Sequence, residues 1–182
     1  MSFKVIETDI KDLILIESTL NKDYRGKFIE TYKSSAFSNF NLNFNFVQDN
    51  VSKSHKYVLR GLHFQEYPHA QGKLVTTLSG EIFDVVVDIR EESPTFGKVS
   101  CNVLNSKDNK SLYVPEGFAH GFLSMSDNTI VYYKTTKEYN PNFESGILWS
   151  DIDLGINWPT KKPLVSEKDL SLPNFKDILK NK

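Results

Sequence analysis

Apolar and polar positions alternate in short runs along most of the chain, and helical spacing is scarce. Leu13-Ile14-Leu15-Ile16 predicts an opening strand. Asp23-Tyr24-Arg25-Gly26 has turn chemistry, and Lys27-Phe28-Ile29-Glu30-Thr31-Tyr32 predicts a strand after it. Residues 34–40 predict a short helix, with Ser34 or Ser35 near its N-cap and Phe37 and Phe40 at i, i+3. The Asn-rich residues 39–45 predict a loop. The run 46–52 predicts a strand with Gln48 and Asn50 on one face. Residues 58–65 form an apolar strand-like run, and 66–70 with Pro68 form a loop. Residues 73–78 and 81–90 flank Ser79-Gly80, a hairpin signal.

The second of these arms puts Phe83, Val85, Val87 and Ile89 on one face and Ile82, Asp84, Val86 and Asp88 on the other. Both faces are largely apolar, which predicts a central strand and a partly buried Asp84. Residues 93–97 turn the chain and 99–104 predict a strand. Residues 112–122 read as a short strand feeding a Gly/Pro-shaped bend that ends on His120. A strand over 129–136 carries Tyr133 in its middle, Tyr139-Asn140-Pro141 breaks it, and a short helix closes the chain near 175–179. Short strands punctuated by turns, without repeats or linkers, predict an all-β sandwich or barrel in a single domain over residues 1–182.

Composition narrows the function classes. A net charge of −1 gives no global field for nucleic acid, so any anionic ligand needs locally placed Arg and Lys. The single cysteine, Cys101, excludes an internal disulfide and fits a reducing compartment; its strand context predicts an inert packing thiol. No stretch of about 18 apolar residues and no signal-peptide pattern is present, so no membrane contact and a cytoplasmic location are expected. The many aromatics, 13 Phe and 8 Tyr among them, suit a β-rich core or a pocket that stacks planar ligands.

Candidate chemistry concentrates in Val58-Leu59-Arg60-Gly61-Leu62-His63-Phe64-Gln65 and Gln71-Gly72-Lys73-Leu74-Val75. Burying such polar groups is costly unless they are paired or used. His63 and Lys73, on strands that a turn brings side by side, make a base and an electrostatic stabiliser. A lone His63 is as often a satisfied core histidine, but Arg60, Gln65 and Lys73 beside it lower those odds. Pro115-x-Gly117-x-x-His120 resembles the second motif of cupins, whose first motif carries a His-x-His pair. The matching place here reads His63-Phe64-Gln65, one imidazole short, so no metal is expected. Each remaining candidate has a plain competitor. Asp169 completes a Ser166-x-x-Asp169 capping signature, and Asp84 rivals it as the orienter of His63. Tyr133 suits a core, Tyr139 a surface, and Arg25 with Glu30 an exposed cross-strand pair.

Taken together the motifs resemble one family. They are Asp23-x-Arg25-Gly26-x-Phe28-x-Glu30, Gln48-Asp49-Asn50-x-Ser52, the stretches 59–65 and 71–75, Val87-Asp88-Ile89-Arg90, Pro115-x-Gly117-Phe118-Ala119-His120-Gly121-Phe122 and Ser166-x-Lys168-Asp169. Over nearly its whole length the chain resembles dTDP-4-dehydrorhamnose 3,5-epimerases. The resemblance implies a metal-free cupin-type double-stranded β-helix (jelly roll) with short peripheral helices, working as a homodimer on a dTDP-sugar without cofactor. It implies His63 as base, Asp169 as its orienter, Lys73 as stabiliser of the enolate and Tyr133 as the acid on the opposite face. Arg25, Phe28, Glu30, Gln48, Asn50, Arg60, Lys73, His120, Glu144 and Lys168 fall at substrate-contact positions, and Tyr139 at the position that stacks on thymine. The segment around Arg25 and Glu30 is expected to reach the neighbouring subunit's site. Tyr57 and the loop Glu66-Tyr67-Pro68-His69 depart from the family pattern and bear on the exact sugar more than on the reaction. The alternatives are a single-centre epimerase, a 3,4-ketoisomerase on a related 4-keto sugar nucleotide, or a non-catalytic nucleotide-sugar-binding cupin.

Overall fold

A computed structural model describes residues 3–42 and 44–180, with side chains described to residue 178. The strands are β1 (Phe3–Glu7), β2 (Ile14–Ser18), β3 (Leu20–Asp23), β4 (Gly26–Ile29), β5 (Gln48–Ser54), β6 (Leu59–Gln65), β7 (Lys73–Ser79), β8 (Glu81–Asp88), β9 (Val99–Asn105), β10 (Lys110–Val114), β11 (Phe118–Ser124), β12 (Thr129–Thr135) and β13 (Glu144–Gly146). Three short helices, α1 (Ser34–Ser38), α2 (Glu167–Leu170) and α3 (Phe175–Lys180), lie outside them. A six-stranded antiparallel sheet in the order β1-β2-β10-β7-β12-β5 faces a five-stranded one in the order β13-β6-β11-β8-β9, and β3-β4 form a separate hairpin. The strand pattern predicts an all-β sandwich or barrel, and the jelly roll that the resemblance implies is the form it takes.

The alternation of β8 sets the layers. Ile82 and Val86 point between the sheets, where they pack with Val75, Leu104, Leu112, Phe122 and Val131. Val85, Val87 and Ile89 point the other way, against Leu62, Phe64, Ile147 and Ile178, so the tail covers the outer face of the five-stranded sheet. Both faces of β8 are therefore dry, and burial of each such side chain is worth about 2 kcal/mol. A third cluster, Phe3, Ile16, Phe37 and Leu74, seats α1 on the outer face of the six-stranded sheet.

The structure corrects several expectations. Ser79-Gly80 does not make a hairpin: β7 pairs with β10 and β12, while β8 pairs with β11 and β9. The turn carries the chain from one sheet to the other, at a Gly80 whose φ is +77° and whose Cβ, if present, would lie 2.4 Å from Ser126 Oγ. For the same reason His63 and Lys73 are not side by side but face each other across the sandwich. The strand predicted over 27–32 is β4 and stops at Ile29, and β1 was not foreseen. Lys33, not Ser34 or Ser35, occupies the N-cap of α1, and it makes no side-chain cap. His120 lies inside β11 rather than at the end of a bend. Cys101 is exposed on the edge strand β9, so it is not a packing thiol. Asn43, in the predicted 39–45 loop, lies outside the described residues.

At the end of β8 the fully buried Asp88 carboxylate accepts hydrogen bonds from Arg90 Nε (2.9 Å) and Nη2 (2.8 Å), Ser93 Oγ (2.6 Å) and Thr95 Oγ1 (2.7 Å). Arg90 Nη1 also reaches Asp12 at 2.7 Å, which ties the turn before β2 to β8. Burial pushes the Asp88 carboxyl up, but the donors from Arg90, Ser93 and Thr95 outweigh it and bring it from 3.8 down to about 2. A carboxylate lowered on folding adds stability above its unfolded value and loses it as pH falls through the folded one. Asp88→Asn should therefore cost about 3 kcal/mol at pH 7, and urea unfolding at pH 7 and pH 2 should show the gap to the native chain closing in acid.

Candidate active site

Between the sheets lies a cavity of about 530 Å³, walled by β6 and β11 on one side and by β5, β7 and β12 on the other, and rimmed by residues 139, 144 and 164–169. That size suits a small organic ligand. Alternation along β6 sends Leu62 and Phe64 into the outer cluster and leaves His63 and Gln65 facing the cavity. Gly61 (φ +134°) and Gly121 meet at the register shift between β6 and β11, where a Cβ on Gly61 would sit 2.5 Å from Gly121 Cα. Only glycine permits this approach, and it puts His63 directly opposite His120.

Two carboxylate–imidazole pairs result. His63 Nε2 donates to Asp169 Oδ1 at 2.8 Å, and Asp169 Oδ2 accepts from the Gly61 N–H at 3.2 Å. Ser166 Oγ accepts from the Asp169 N–H, so the capping signature is real and places the carboxylate that holds the imidazole. Burial works against the ionised Asp169, but the hydrogen bond and charge of His63 and the Gly61 N–H hold its carboxyl below the usual range. In the second pair, His120 Nε2 donates to Asp84 Oδ2 at 2.8 Å. The question of which aspartate orients His63 is thereby answered: Asp169 does, and Asp84 serves His120. A carboxylate only accepts, so Nε2 carries the proton in each ring, and His63 Nδ1 is the nitrogen left without a proton in the neutral ring.

Lys73 reaches across from the six-stranded sheet and donates from Nζ to the His63 carbonyl at 3.3 Å. Burial pushes its ammonium down to about 8, against the opposing pull of Asp84 and Glu144. Tyr133 lines the cavity from β12, opposite His63, and burial raises its phenol despite the nearby Arg60 charge. The inner face of β5 contributes Gln48, Asn50 and Ser52. Gln48 Nε2 donates to Asn50 Oδ1 at 2.9 Å, and Gln48 Oε1 accepts from the Tyr139 N–H at 2.9 Å. Arg60 Nε donates to Ser54 Oγ at 3.2 Å. At the rim, Glu144 accepts from both the Tyr139 hydroxyl and Lys168 Nζ.

The cavity thus brings together His63, Lys73, Tyr133, Asp169, Gln48, Asn50, Arg60, His120, Tyr139, Glu144 and Lys168. It does not include Arg25, Phe28 or Glu30. Arg25 pairs with Asp23 at 2.6 Å on the β3–β4 hairpin rather than with Glu30, and Phe28 is 66% exposed. Glu30 sits 3.8 Å from Lys33. Tyr57 and residues 66–69 are not in the lining either. Ser52 was not singled out as a site residue, although the alternation of β5 contained the signal: its Oγ is buried in the lining without a partner. Among the described residues no group of three or more His, Cys, Asp or Glu is placed to hold a metal ion.

Comparison with known proteins agrees on one family. The sequence model described as dTDP-4-dehydrorhamnose 3,5-epimerase matches residues 7–177. The dTDP-4-dehydrorhamnose 3,5-epimerase of Shigella flexneri is 48% identical over 174 residues, 95% of this chain and 96% of that protein. The crystal structure of the Bacillus anthracis epimerase, with TDP and PPi bound, superposes with a TM-score of 0.93 at 44% identity, covering 95% of this chain and 99% of the other. That of the Legionella pneumophila enzyme, in complex with dTDP-4-keto-L-rhamnose, gives 0.92 at 40% identity, covering 96% and 93%.

The burial of Lys73 has a measurable consequence. A lysine lowered from 10.5 to about 8 burdens the fold below pH 8, and the burden lifts as pH rises toward 10.5, because only the unfolded chain then keeps the proton. Lys73→Met should raise stability at pH 7 by about 1–2 kcal/mol, with a smaller gain at pH 10. A variant no more stable than the native chain at pH 7 would contradict this.

Proposed function

The chain belongs to the dTDP-4-dehydrorhamnose 3,5-epimerase family, and we propose from that premise how its pocket works. It epimerises dTDP-4-dehydro-6-deoxy-D-glucose at C3 and C5 to give dTDP-4-dehydro-L-rhamnose, on the way to dTDP-rhamnose. The observation that carries the proposal is the placement of His63 and Tyr133 on opposite sheets of one cavity. A sugar ring held between the sheets meets a base on one face and an acid on the other, which is what inversion of a centre requires.

The substrate's own 4-keto group acidifies the protons at C3 and C5, so the carbonyl serves as electron sink and no cofactor is called for. His63 Nδ1 takes the proton from carbon and becomes an imidazolium, which the Asp169 carboxylate stabilises and keeps aligned. The electron pair moves onto the keto oxygen, where the Lys73 ammonium offsets the developing charge in a water-poor site. Tyr133 then delivers its phenolic proton to the opposite face of the same carbon and is reprotonated from solvent, while His63 Nδ1 gives up the abstracted proton to solvent. Its raised pKa keeps that proton in place between turnovers. The sequence of steps serves C3 and C5 alike.

Arg60 holds a phosphate of the substrate with its guanidinium fork, and Tyr139 stacks on the thymine ring. Gln48, Asn50, His120, Glu144 and Lys168 complete the grip. Arg25, Phe28 and Glu30 act in a homodimer, where the exposed β3–β4 hairpin of each subunit reaches the other's pocket. The single cysteine and the nucleotide-sugar substrate support a cytoplasmic location. No described helix is long and apolar enough to cross a membrane.

NMR of the substrate with the protein in D2O should show deuterium entering at both C3 and C5. Exchange at one centre only would mean a mono-epimerase or ketoisomerase, and none, with ligand bound, would reject the catalytic assignment. His63→Asn should lower turnover about 1,000-fold or more while dTDP still binds; near-normal turnover would remove His63 as base. Tyr133→Phe should reduce product formation far more than solvent exchange, and an equal loss of both would remove Tyr133 as acid.

A further inference from the structure

Asp84 has no part in the mechanism above, yet it is 0% exposed in the layer between the sheets. Ile82 and Val86, its neighbours on the same face of β8, belong to the apolar core. One carboxylate oxygen accepts from His120 Nε2; the other, Oδ1, is buried with no protein partner. A carboxylate left half-satisfied in such a place is costly, and an apolar side chain would fill the position at lower cost. Its surroundings show what the charge is for. His120, which bonds Asp84, stands directly opposite His63 across the β6–β11 ladder, and Lys73 Nζ bonds the His63 carbonyl, so Asp84 and Lys73 are both tied to one rung of the site.

We propose that Asp84 is a positioning residue for the reaction: its buried carboxylate fixes the ring of His120 and holds the positive charge of Lys73 in the pocket. The role deepens the epimerase reading and rests on it. Without a counter-charge, Lys73 carries its partly buried ammonium into the layer between the sheets, where desolvation favours loss of its proton. Burial does press it down, and Asp84 is the larger of two opposing charges, the other being Glu144 on β13. The remaining titratable groups that share the cavity are His63 and Arg60 on β6, His120 on β11, Tyr133 on β12, Lys168 and Asp169 on α2, and Tyr139 at the rim; β9 and β10 add no residue to its lining. Cys101 on β9 also feels Asp84, which together with burial holds its thiol up. A neutral Lys73 cannot offset charge on the keto oxygen, so Asp84 extends the working range of the enzyme toward alkaline pH without touching the substrate.

Asp84→Asn keeps the shape and an acceptor for His120 Nε2 while removing the charge. Lys73 can be followed by NMR of the 13C-methylated lysines, its signal assigned by loss in Lys73→Met. In Asp84→Asn it should titrate about one pH unit lower than in the native protein, and the alkaline limb of kcat/KM should move down with it, with dTDP affinity within about twofold. An unmoved lysine titration with an unmoved limb overturns the proposal. A native protein that binds dTDP but exchanges no substrate proton overturns the epimerase reading instead, and the lysine titration still decides this one. Should Asp84→Asn not fold, the double variant Asp84→Asn/Lys73→Met, which removes both charges, should recover the fold, and failure to recover it rejects the pairing.

Discussion

The contact on which the site depends is the hydrogen bond between Asp169 and His63, which joins residues 106 positions apart. Neither partner is placed by its own neighbours alone. His63 faces the cavity because β6 alternates and because two glycines let β6 and β11 approach closely. Asp169 arrives because the tail crosses the outer face of the five-stranded sheet and joins the start of β6, where Leu59 N–H donates to the Leu164 carbonyl and Leu164 N–H to that of Tyr57. The one-turn helix α2 then starts at Ser166, whose side chain binds the backbone of Asp169 and fixes the direction of its carboxylate. An imidazole held in this way has one protonated nitrogen committed to the carboxylate and one free, and that division lets it act as a base at neutral pH.

The interior of this jelly roll is built on a compromise between dryness and charge. One end of the inter-sheet layer is an ordinary apolar core of Val, Leu and Ile. Toward the other, the same layer carries Lys73, His120 and Asp84, which lower the stability of the fold unless each is paired. The pairing is asymmetric. Asp88 receives four side-chain hydrogen bonds and is satisfied, a structural knot outside the cavity. Asp84 receives one, from His120, and keeps an oxygen free. The fold therefore tolerates an incompletely satisfied carboxylate where the chemistry gains from its charge, and not where the role is structural.

Much of this was legible in the residues. The alternation of residues 81–90 gave both faces of β8 correctly, since a period of two survives any topology. The hairpin at Ser79-Gly80 did not, because a two-residue turn reads the same whether its arms pair or separate into facing sheets; only the ladder partners decide. His63, Lys73, Tyr133 and Asp169 could be singled out, but not the pairing of aspartates with histidines. From the residues alone Asp84 rivalled the Asp169 that the resemblance implied, until the register placed His120 beside one and the Ser166 cap turned the other toward His63. Ser52 escaped notice because a serine on a strand carries no chemical signature, and only its unpartnered burial marks it. Cys101 was misjudged because being in a strand does not say which face is covered.

The β3–β4 hairpin stands apart from the cavity. The cavity already holds His63, Lys73 and Tyr133 on strands whose ladders fix them, and Asp169 on the capped helix α2. Arg25 and Phe28 sit instead on a hairpin outside both sheets, with Glu30 just after it, and the tip is made of exposed residues that include the aromatics Tyr24 and Phe28. Large exposed aromatics on a projecting element suit a surface that becomes covered by another chain. The Arg25–Asp23 pair is solvent-exposed and weakly held, so the guanidinium remains available to a stronger anion such as a pyrophosphate. In the proposed reaction, rigid strands carry the bond-making groups, which tolerate little displacement, and the hairpin carries binding groups, whose placement is less demanding.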